Sequence, residues 1–465
     1  MNAKQNTFFI SIAYLLYALV FLNYLLITAV GMSFSLFIFL TFLNKIGKEL
    51  PLKEMIVLIA AAQWIVGAKI GYNIGKVHYK YYMYVDEETY MSFVIPGLIL
   101  FYIGLYVLRN SLQLSEIEKL LESNRVETIR TAKNILILGL ASFLISSLIR
   151  IPQISFVFYL ANLLIYVAAG HYMLLYPKFR FQIFIGSIFF MLVLSLQSGF
   201  FHDLIILATF LTFLLFDKRS GYFLKLVVIS LGFASLYIIQ IVKAEYRSII
   251  WEAKGDVGVF SAFYNVLEEE FAPKPTYITT NLNDDEAEEQ ANINTRLNQG
   301  WIISKIMDNV PKNHDYFGGT TITEGIKSAI LPRFLFPNKK GAEQALINFR
   351  EISGIDLNKG TSMGLSVIGE FYANYGVTGA WVAMFLYGLF LSLIVKFLVH
   401  GLAGGSPLIL LWFILFFFQV VKAETDFIKV INHLFKSIVF FMLLRFILRL
   451  VNFELLPKPK VHAAS

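Results

Sequence analysis

Residues 361–397 read TSMGLSVIGEFYANYGVTGAWVAMFLYGLFLSLIVKF, a polar stretch that runs directly into an apolar one. The apolar part, Val377–Phe397, carries a single charged side chain, Lys396. A membrane-spanning helix needs about 20 predominantly apolar residues, so this part predicts a span. A bilayer excludes unpaired polar groups, so we expect the polar part, and the chemistry of the chain, at the membrane surface.

The composition extends this interpretation to the whole chain. Of 465 residues, 57% are hydrophobic and 15% are charged, whereas a soluble domain carries about 25% charged residues. The predicted fold class is therefore an all-α polytopic membrane protein. The chain has no cysteine, which excludes disulfides and thiolate chemistry.

Apolar runs of spanning length recur along the chain. The run Phe8–Leu43 is too long for one helix, and we interpret it as two short spans that meet near Asn23. Ten further runs bring the prediction to about twelve transmembrane helices. These runs are 55–75, 91–108, 134–149, 152–172, 181–197, 202–217, 222–242, 377–397, 406–421 and 432–451.

Charge is distributed unevenly between the long insert and the short loops. Residues 243–376 hold 13 Lys/Arg and 18 Asp/Glu, and the rest of the chain holds 26 and 14. The positive excess lies in alternate short loops, which the positive-inside rule places in the cytoplasm. It therefore reports membrane topology, and we expect no nucleic-acid partner. These basic residues are Lys45, Lys48, Lys53, Arg109, Lys119, Arg125, Arg130, Lys133, Lys178, Arg180, Lys218, Arg219, Lys225, Lys396, Arg445, Arg449, Lys458 and Lys460.

Three parts follow from the spans and the charges. Residues 1–242 are predicted to form a bundle of about nine spans, and 243–376 a large extracytoplasmic loop with mostly helical elements. Residues 377–465 are predicted to form about three spans and a cytoplasmic tail. Both termini are then cytoplasmic.

The polar part of the opening stretch has helical spacing. Ser362, Ser366, Glu370 and Asn374 recur every four positions and share one helix face, with Tyr372 on another. Such a stripe is expected to face a cavity rather than lipid. Glu370 is then a candidate base or sugar-hydroxyl ligand, with Asn374 and Tyr372 as binding residues. The alternative is a structural glutamate that pairs with an arginine at the membrane surface.

Two further segments of the insert contain candidate anion-binding groups. Arg333 lies between two prolines, and a held guanidinium suits a lipid-linked diphosphate; the alternative is a topological or headgroup-binding arginine. Thr320 and Thr321 follow a double glycine in a turn that offers amides and hydroxyls to phosphate or sugar, although no Walker sequence follows. His314 precedes the turn and is more typical of a surface residue than of a catalyst.

Outer loops border the same space. His202 and Asp203 interrupt a long apolar run, which favours a functional pair as much as a plain turn. Arg150 lies at the outer end of its predicted helix, against the positive-inside trend. Arg247 and Arg296 are candidate anion ligands, each with a surface salt bridge as the alternative. A third outer group is predicted to be a solvated rim: Lys422, Glu424 and Asp426.

Several signatures of metal and cofactor sites are missing from the sequence. It contains no HExxH, Cys/His cluster, GxSxG or nucleotide-binding loop. We therefore expect no metal and no cofactor.

Taken together, these segments resemble the bacterial O-antigen polymerases, which join oligosaccharide repeat units. The resemblance rests on the number of spans, the large late outer loop, LPRFLFPNK at 331–339 and the run Gly364–Gly376, which ends in GEFYANYG. It includes the outer stretches Tyr84–Tyr90 and Ser198–Asp203. The architecture is shared over most of the chain, while the motifs are short.

The resemblance implies a metal-independent glycosyltransferase with a GT-C-like layout, in the cytoplasmic (inner) membrane of a bacterium. Its donor would be a growing glycan on undecaprenyl diphosphate, and its acceptor a sugar hydroxyl of a new lipid-linked unit. Arg333 and Glu370 lie in the motif-bearing segments, and Arg247, Arg296 and Arg350 match the general pattern of loop arginines that grip the diphosphate. Membrane lipids and a chain-length regulator are the further partners implied.

Three alternatives remain open at this point. An O-antigen ligase, which moves a finished glycan, differs little in sequence from a polymerase. A flippase for the same lipid-linked unit would have a similar number of spans, but usually two related halves, which the chain lacks. A non-enzymatic assembly or receptor protein would need none of the candidate residues for glycan chemistry.

Overall fold

Helices account for the regular structure of the chain. The computed structural model describes residues 3–76, 81–108, 113–149, 154–199, 201–252, 258–271, 298–330, 342–356, 363–402 and 406–456. These residues contain no strand, which confirms the all-α class. The α-helices are α1 (Ala3–Val20), α2 (Leu26–Lys45), α3 (Leu52–Ala61), α4 (Gly67–Ile74), α5 (Glu87–Tyr106), α6 (Leu114–Ser123), α7 (Arg125–Leu148), α8 (Ser155–Asn162), α9 (Leu164–Leu175), α10 (Arg180–Ser198), α11 (His202–Thr212), α12 (Tyr222–Glu252), α13 (Val259–Phe271), α14 (Gly300–Asn309), α15 (Thr320–Ile330), α16 (Ala342–Ser353), α17 (Val367–Lys396), α18 (Phe413–Phe416) and α19 (Phe427–Leu450).

Within the described ranges, nine helical segments are long and apolar enough to cross a bilayer. They are Leu26–Lys45, Leu52–Ile74, Glu87–Tyr106, Arg125–Leu148, Ser155–Leu175, Pro177–Gln197, Tyr222–Lys243, Val367–Leu402 and Phe427–Leu450. A multi-pass membrane protein is therefore confirmed. The other three predicted spans coincide with shorter apolar helices, Gln5–Val20, His202–Thr212 and Pro407–Phe416, and their crossing stays a prediction.

The joint predicted near Asn23 is present. The first helix ends at Val20 and the second begins at Leu26, and Asn23 between them has a φ of 50°. Asparagine tolerates this left-handed conformation better than most residues, which explains the reversal at this position.

One end of the bundle, which we call the basic end, gathers the loops predicted to be cytoplasmic. Lys53 Nζ donates to Leu105 O at 2.9 Å, and Lys225 Nζ donates to Ile46 O at 2.8 Å. Each of these lysines thus satisfies orphan carbonyls at the C-terminus of another helix, where the helix dipole also favours a cation. Arg125 does the same for the last carbonyl of α9, Leu175 O, at 3.1 Å.

The described termini also lie at the basic end. Thr7 Oγ1 near the start of α1 accepts from Asn44 Nδ2 at 2.8 Å, close to the end of α2. Glu454 near the other terminus pairs with Arg445 and Arg449, which lie in the last turns of α19.

The opposite end, which we call the insert end, carries the described parts of the insert. Tyr84, in the loop before α5, donates its backbone N–H to Ser304 Oγ of α14 at 3.1 Å. Gln299 Nε2 donates to Gly364 O at 2.7 Å, which fixes the start of α14 against the segment that precedes α17.

The helices α5 and α17 form the central pair. Gly104 faces the Phe385 carbonyl and Gly388 faces the Phe101 carbonyl, each so closely that a Cβ would overlap the oxygen. Small residues allow this backbone approach, as is common between membrane helices. Trp381 Nε1 donates to Phe93 O at 2.9 Å across the same interface.

The predicted span 406–421 differs from a regular helix. It consists of a 3₁₀ segment, Pro407–Trp412, followed by α18 and by turns that lead into α19. Nearly every side chain from Ser406 to Val421 is buried. Irregular backbone at membrane depth is tolerated where protein covers it, which accounts for the burial of this segment on all sides.

Candidate functional site

Glu370 lies in the first turn of α17 and belongs to a buried network. Its Oε1 accepts from Thr321 Oγ1 and its Oε2 accepts from the Phe427 backbone N–H, both at 2.8 Å. Asn374, one turn later, donates to Thr321 Oγ1 and to Glu370 O, each at 2.8 Å. We call Glu370, Thr321, Asn374 and the Phe427 amide the Glu370 network.

The Glu370 network joins three elements. Thr321 belongs to α15 and Phe427 is the first residue of α19, so the carboxylate bonds one of the orphan N–H groups at that N-terminus. With Glu370 2% exposed and both oxygens bonded inside the protein, this geometry favours the structural alternative. Its partners, however, are a hydroxyl and an amide rather than an arginine.

The double-glycine turn is directed at the same helix. Gly318 N donates to Asn374 O at 3.1 Å, and Gly319 N donates to Asn374 Oδ1 at 3.0 Å. These amides are therefore engaged by α17 rather than presented to solvent. Thr320 beside them is exposed, at the start of α15.

Tyr372 is also part of the packed core of this region. It is buried, donates its hydroxyl to Val310 O at 3.2 Å and lies against the rings of Phe93 and Tyr316. The helix is kinked one turn further on, at Gly376, whose φ of 67° suits glycine.

A second group of charged residues lies at the insert end between α11 and the turn before α19. His202 Nε2 is 3.2 Å from Glu424 Oε1, and Lys422 Nζ is 3.7 Å from Asp203 Oδ1. We call these four residues the insert-end cluster. The two pairs join residues more than 200 positions apart in sequence.

The side chains of the insert-end cluster differ in exposure. The side chain of Lys422 is 10% exposed, while those of His202 and Asp203 are 43% and 46% exposed. Burial lowers the pKa of the Lys422 ammonium, and the charges of Asp203 and Glu424 act in the opposite direction. Lys422 Nζ also lies 4.3 Å from the centre of the Phe418 ring, a cation–π contact. The cluster therefore places a sheltered cation beside an exposed carboxylate and a partly exposed imidazole, whose Nε2 is buried against Glu424.

The turn 422–427 connects the Glu370 network to the insert-end cluster. Asp426 Oδ1 accepts from Leu365 N at 2.6 Å, and its Oδ2 lies 2.7 Å from Lys429 Nζ. Gly364 packs directly against the Glu424 carbonyl, where a Cβ would overlap the oxygen. Gly364 and Leu365, which precede α17, thus fix the turn that carries Lys422 and Glu424.

Other predicted candidates are distributed over the insert end. Arg247 on α12 donates its Nε to Gly199 O at 2.7 Å, in the loop just before His202. His314 is exposed, as the surface interpretation predicts, and Arg350 is an exposed partner of Asp356. Three predicted arginines lie outside the described residues: Arg150, Arg296 and Arg333.

Lys422 and Glu424 were predicted to lie on a solvated rim, whereas the structure pairs them with Asp203 and His202, for which a functional pair was one of two predictions. A signal was available, since both pairs of residues follow predicted spans on the same side. In the described part of the chain, no three His, Asp or Glu side chains are arranged to hold a metal ion.

A comparison with known families matches residues 8–456 to the family described as Domain of unknown function (DUF8712). No curated protein and no solved structure matches the chain. The match extends from α1 to the residues that follow α19, and so includes both groups of residues at the insert end.

Proposed function

The chain belongs to the DUF8712 family, and we propose that it polymerises undecaprenyl-diphosphate-linked oligosaccharide repeat units at the outer face of the bacterial cytoplasmic membrane. The observation that carries the proposal is the insert-end cluster, which combines a sheltered lysine with a histidine–carboxylate pair. By the positive-inside rule, and with about twelve crossings, the basic end would lie in the cytoplasm and the cluster outside. Repeat units of this kind would be met at that surface.

The reaction would be a displacement at the anomeric carbon of the donor glycan. A sugar hydroxyl of the acceptor attacks that carbon, the bond to the diphosphate oxygen breaks, and its electron pair leaves with the lipid diphosphate. The hydroxyl proton must pass to a base. Charge accumulates on the leaving diphosphate, and a fixed cation in a water-poor place stabilises it by about 3 kcal/mol.

The four residues of the insert-end cluster divide this work. Lys422 would contact the leaving diphosphate, and Asp203 would hold the ammonium in place. His202 would accept the hydroxyl proton, and Glu424 would orient the imidazole and stabilise the imidazolium, as a carboxylate does in catalytic triads. Proton transfer of this kind typically contributes about 10²–10⁴-fold in rate.

Glu370 and Arg333 have different roles in this proposal. The Glu370 network supports the turn that carries Lys422, so we assign Glu370 a positioning role and transfer the base to His202. Arg333, in the insert segment of the resemblance, stays a second predicted diphosphate ligand.

The test is the glycan ladder made by purified protein in vesicles from a native lipid-linked repeat unit. Wild type should form a ladder, and Lys422→Ala and His202→Ala should leave single units while folding normally. The matched control is Lys312→Gln, because Lys312 is an exposed lysine of the insert that pairs only with Asp308 at 3.7 Å among the contacts seen. It should give the wild-type ladder.

Two outcomes would redirect the proposal. Transfer of finished glycan to a different acceptor, without a ladder, would favour the ligase alternative. Movement of intact repeat units across the vesicle membrane, with no new glycosidic bond, would favour a flippase.

A further inference from the structure

The helix α12 stands away from the rest of the bundle at mid-depth. Its side chains at 230–235 and at Tyr237 are all exposed, although two full turns present every face of a helix. A helix packed along its length would bury a side chain at every third or fourth position. A gap therefore separates this part of α12 from the bundle.

The two ends of α12 are held in place. At the basic end, Lys225 donates to the last carbonyls of α2. At the insert end, Tyr246 Oη donates to Leu196 O of α10 at 2.7 Å. The helix between these contacts is about 30 Å long at 1.5 Å per residue, which matches the hydrocarbon thickness of a bilayer. The gap is thus bounded above and below and open to the side.

Both helices that meet at the insert end expose apolar side chains. The helix α10 meets α12 at the insert end and exposes Phe181, Ile185 and Phe189 along its length. On α12 itself, Leu231 and Phe233 are exposed by 62% and 60%. In a membrane such a gap must hold apolar chains, either of lipid or of protein.

The upper end of the gap is basic and reaches the insert-end cluster. Lys243 and Arg247 lie one turn apart on α12, and Lys243 is close enough to His202 for its charge to act on the imidazole. Arg247 bonds the Gly199 carbonyl in the loop that leads to His202. The arrangement combines an apolar gap with a cationic upper end, which fits an anionic headgroup on a long hydrocarbon chain.

We propose that the gap between α12 and the bundle is the lateral binding site for an isoprenoid diphosphate, with the chain along 230–237 and the diphosphate at Lys243 and Arg247. The inference rests on the proposed function, since this binding site would supply the donor lipid to the insert-end cluster. Residues 406–421, another apolar segment, offer no such site, because nearly all of them are covered by protein.

The absence of natural cysteine allows a clean labelling test in the full-length protein. A benzophenone is attached to Ser235→Cys on α12, or to Ser147→Cys on α7, an exposed control position on another span. Each protein is placed in phosphatidylcholine vesicles with undecaprenyl diphosphate that carries a radioactive phosphate. After illumination, the label bound covalently to the protein is measured.

Labelling at Ser235→Cys should exceed that at Ser147→Cys about tenfold, and Lys243→Gln/Arg247→Gln should remove the excess, as expected for about 1.4 kcal/mol of headgroup binding. Equal labelling at the two positions would overturn the proposal. So would loss of the excess on adding phosphatidylglycerol, which would indicate an ordinary anionic-lipid surface. A disulfide between two Ser235→Cys chains on oxidation would show that a second copy fills the gap.

The outcomes separate this inference from the proposed function. A glycan ladder from wild type without selective labelling of α12 would refute the binding site alone. Selective labelling without any ladder would leave the binding site standing and remove the polymerase proposal.

Discussion

Replacing Glu370 with glutamine is expected to destabilise the protein rather than to abolish its chemistry. The carboxylate accepts one bond from Thr321 and one from the Phe427 amide. Glutamine offers a single oxygen, so one of these donors would face an NH₂ group. A hydrogen bond to a charged group contributes about 1.5–3 kcal/mol, and a buried donor left without a partner costs about 1–3 kcal/mol.

An opposing contribution limits the loss. A neutral amide is less costly to bury than a carboxylate, and Glu370 is almost fully buried. We therefore expect the free energy of unfolding to fall by about 2 kcal/mol, toward the lower part of the range for a lost charge-assisted bond. Such a change raises the ratio of unfolded to folded protein about 30-fold.

The assay measures two quantities on the same preparation: equilibrium unfolding in mixed micelles, and glycan polymerised per folded molecule. Thr321→Val should lower stability in a related way, because it removes the hydroxyl shared by Glu370 and Asn374. Thr323→Val is the matched control, since Thr323 Oγ1 bonds only the Gly319 carbonyl among the contacts seen. A Glu370→Gln protein with wild-type stability and no polymerisation would refute the structural assignment and restore Glu370 as the base.

Two further predictions concern charge and helix packing. Because burial lowers the pKa of Lys422 below 10.5, activity should fall as the pH rises through that lowered value. Lys422→Arg stays charged and should move this alkaline limb of the pH–rate profile to higher pH. If the limb does not move, Lys422 does not bind the diphosphate. Gly104→Ala and Gly388→Ala should each destabilise the α5–α17 pair by about 1–3 kcal/mol, measured by equilibrium unfolding. Gly232→Ala, where nothing lies within 4 Å of the added Cβ, should be neutral or slightly stabilising, and an equal loss there would contradict the close-approach argument.

Local patterns in the sequence predicted much of the fold. Apolar runs placed every described spanning helix, and Asn23 marked the joint between α1 and α2, because both signals depend on residues close together in the chain. The four-residue spacing also correctly put Glu370 and Asn374 on one face of α17, but Ser366, predicted on the same face, precedes the helix with a φ of 60°, and Ser362 lies outside the described residues. What that face meets, α15 and the start of α19, depends on tertiary packing that spacing does not encode.

The candidate site was less accessible to sequence reasoning. His202 was recognised as unusual, but its partner Glu424 lies 222 positions later, and without related sequences no local pattern connects the two. The run 406–421 was interpreted as an ordinary span because its composition is apolar. An apolar run that is buried by protein on all sides reads the same as one that faces lipid.

The break in the 406–426 segment has a consequence for how the chain is assembled. Because the regular helix stops after Phe416, the carbonyl of Leu415 is bonded instead by His433 Nε2 of α19, at 2.8 Å. During membrane insertion the segment therefore reaches the bilayer before α19 has entered it, so the donor that completes its hydrogen bonding is not yet beside it. We expect it to be unable to settle in lipid alone and to be inserted together with α19 as one hairpin. A cysteine placed at Gln419 should accordingly react with a water-soluble maleimide in chains that are truncated before residue 433 and released from the ribosome, and become protected once α19 is complete.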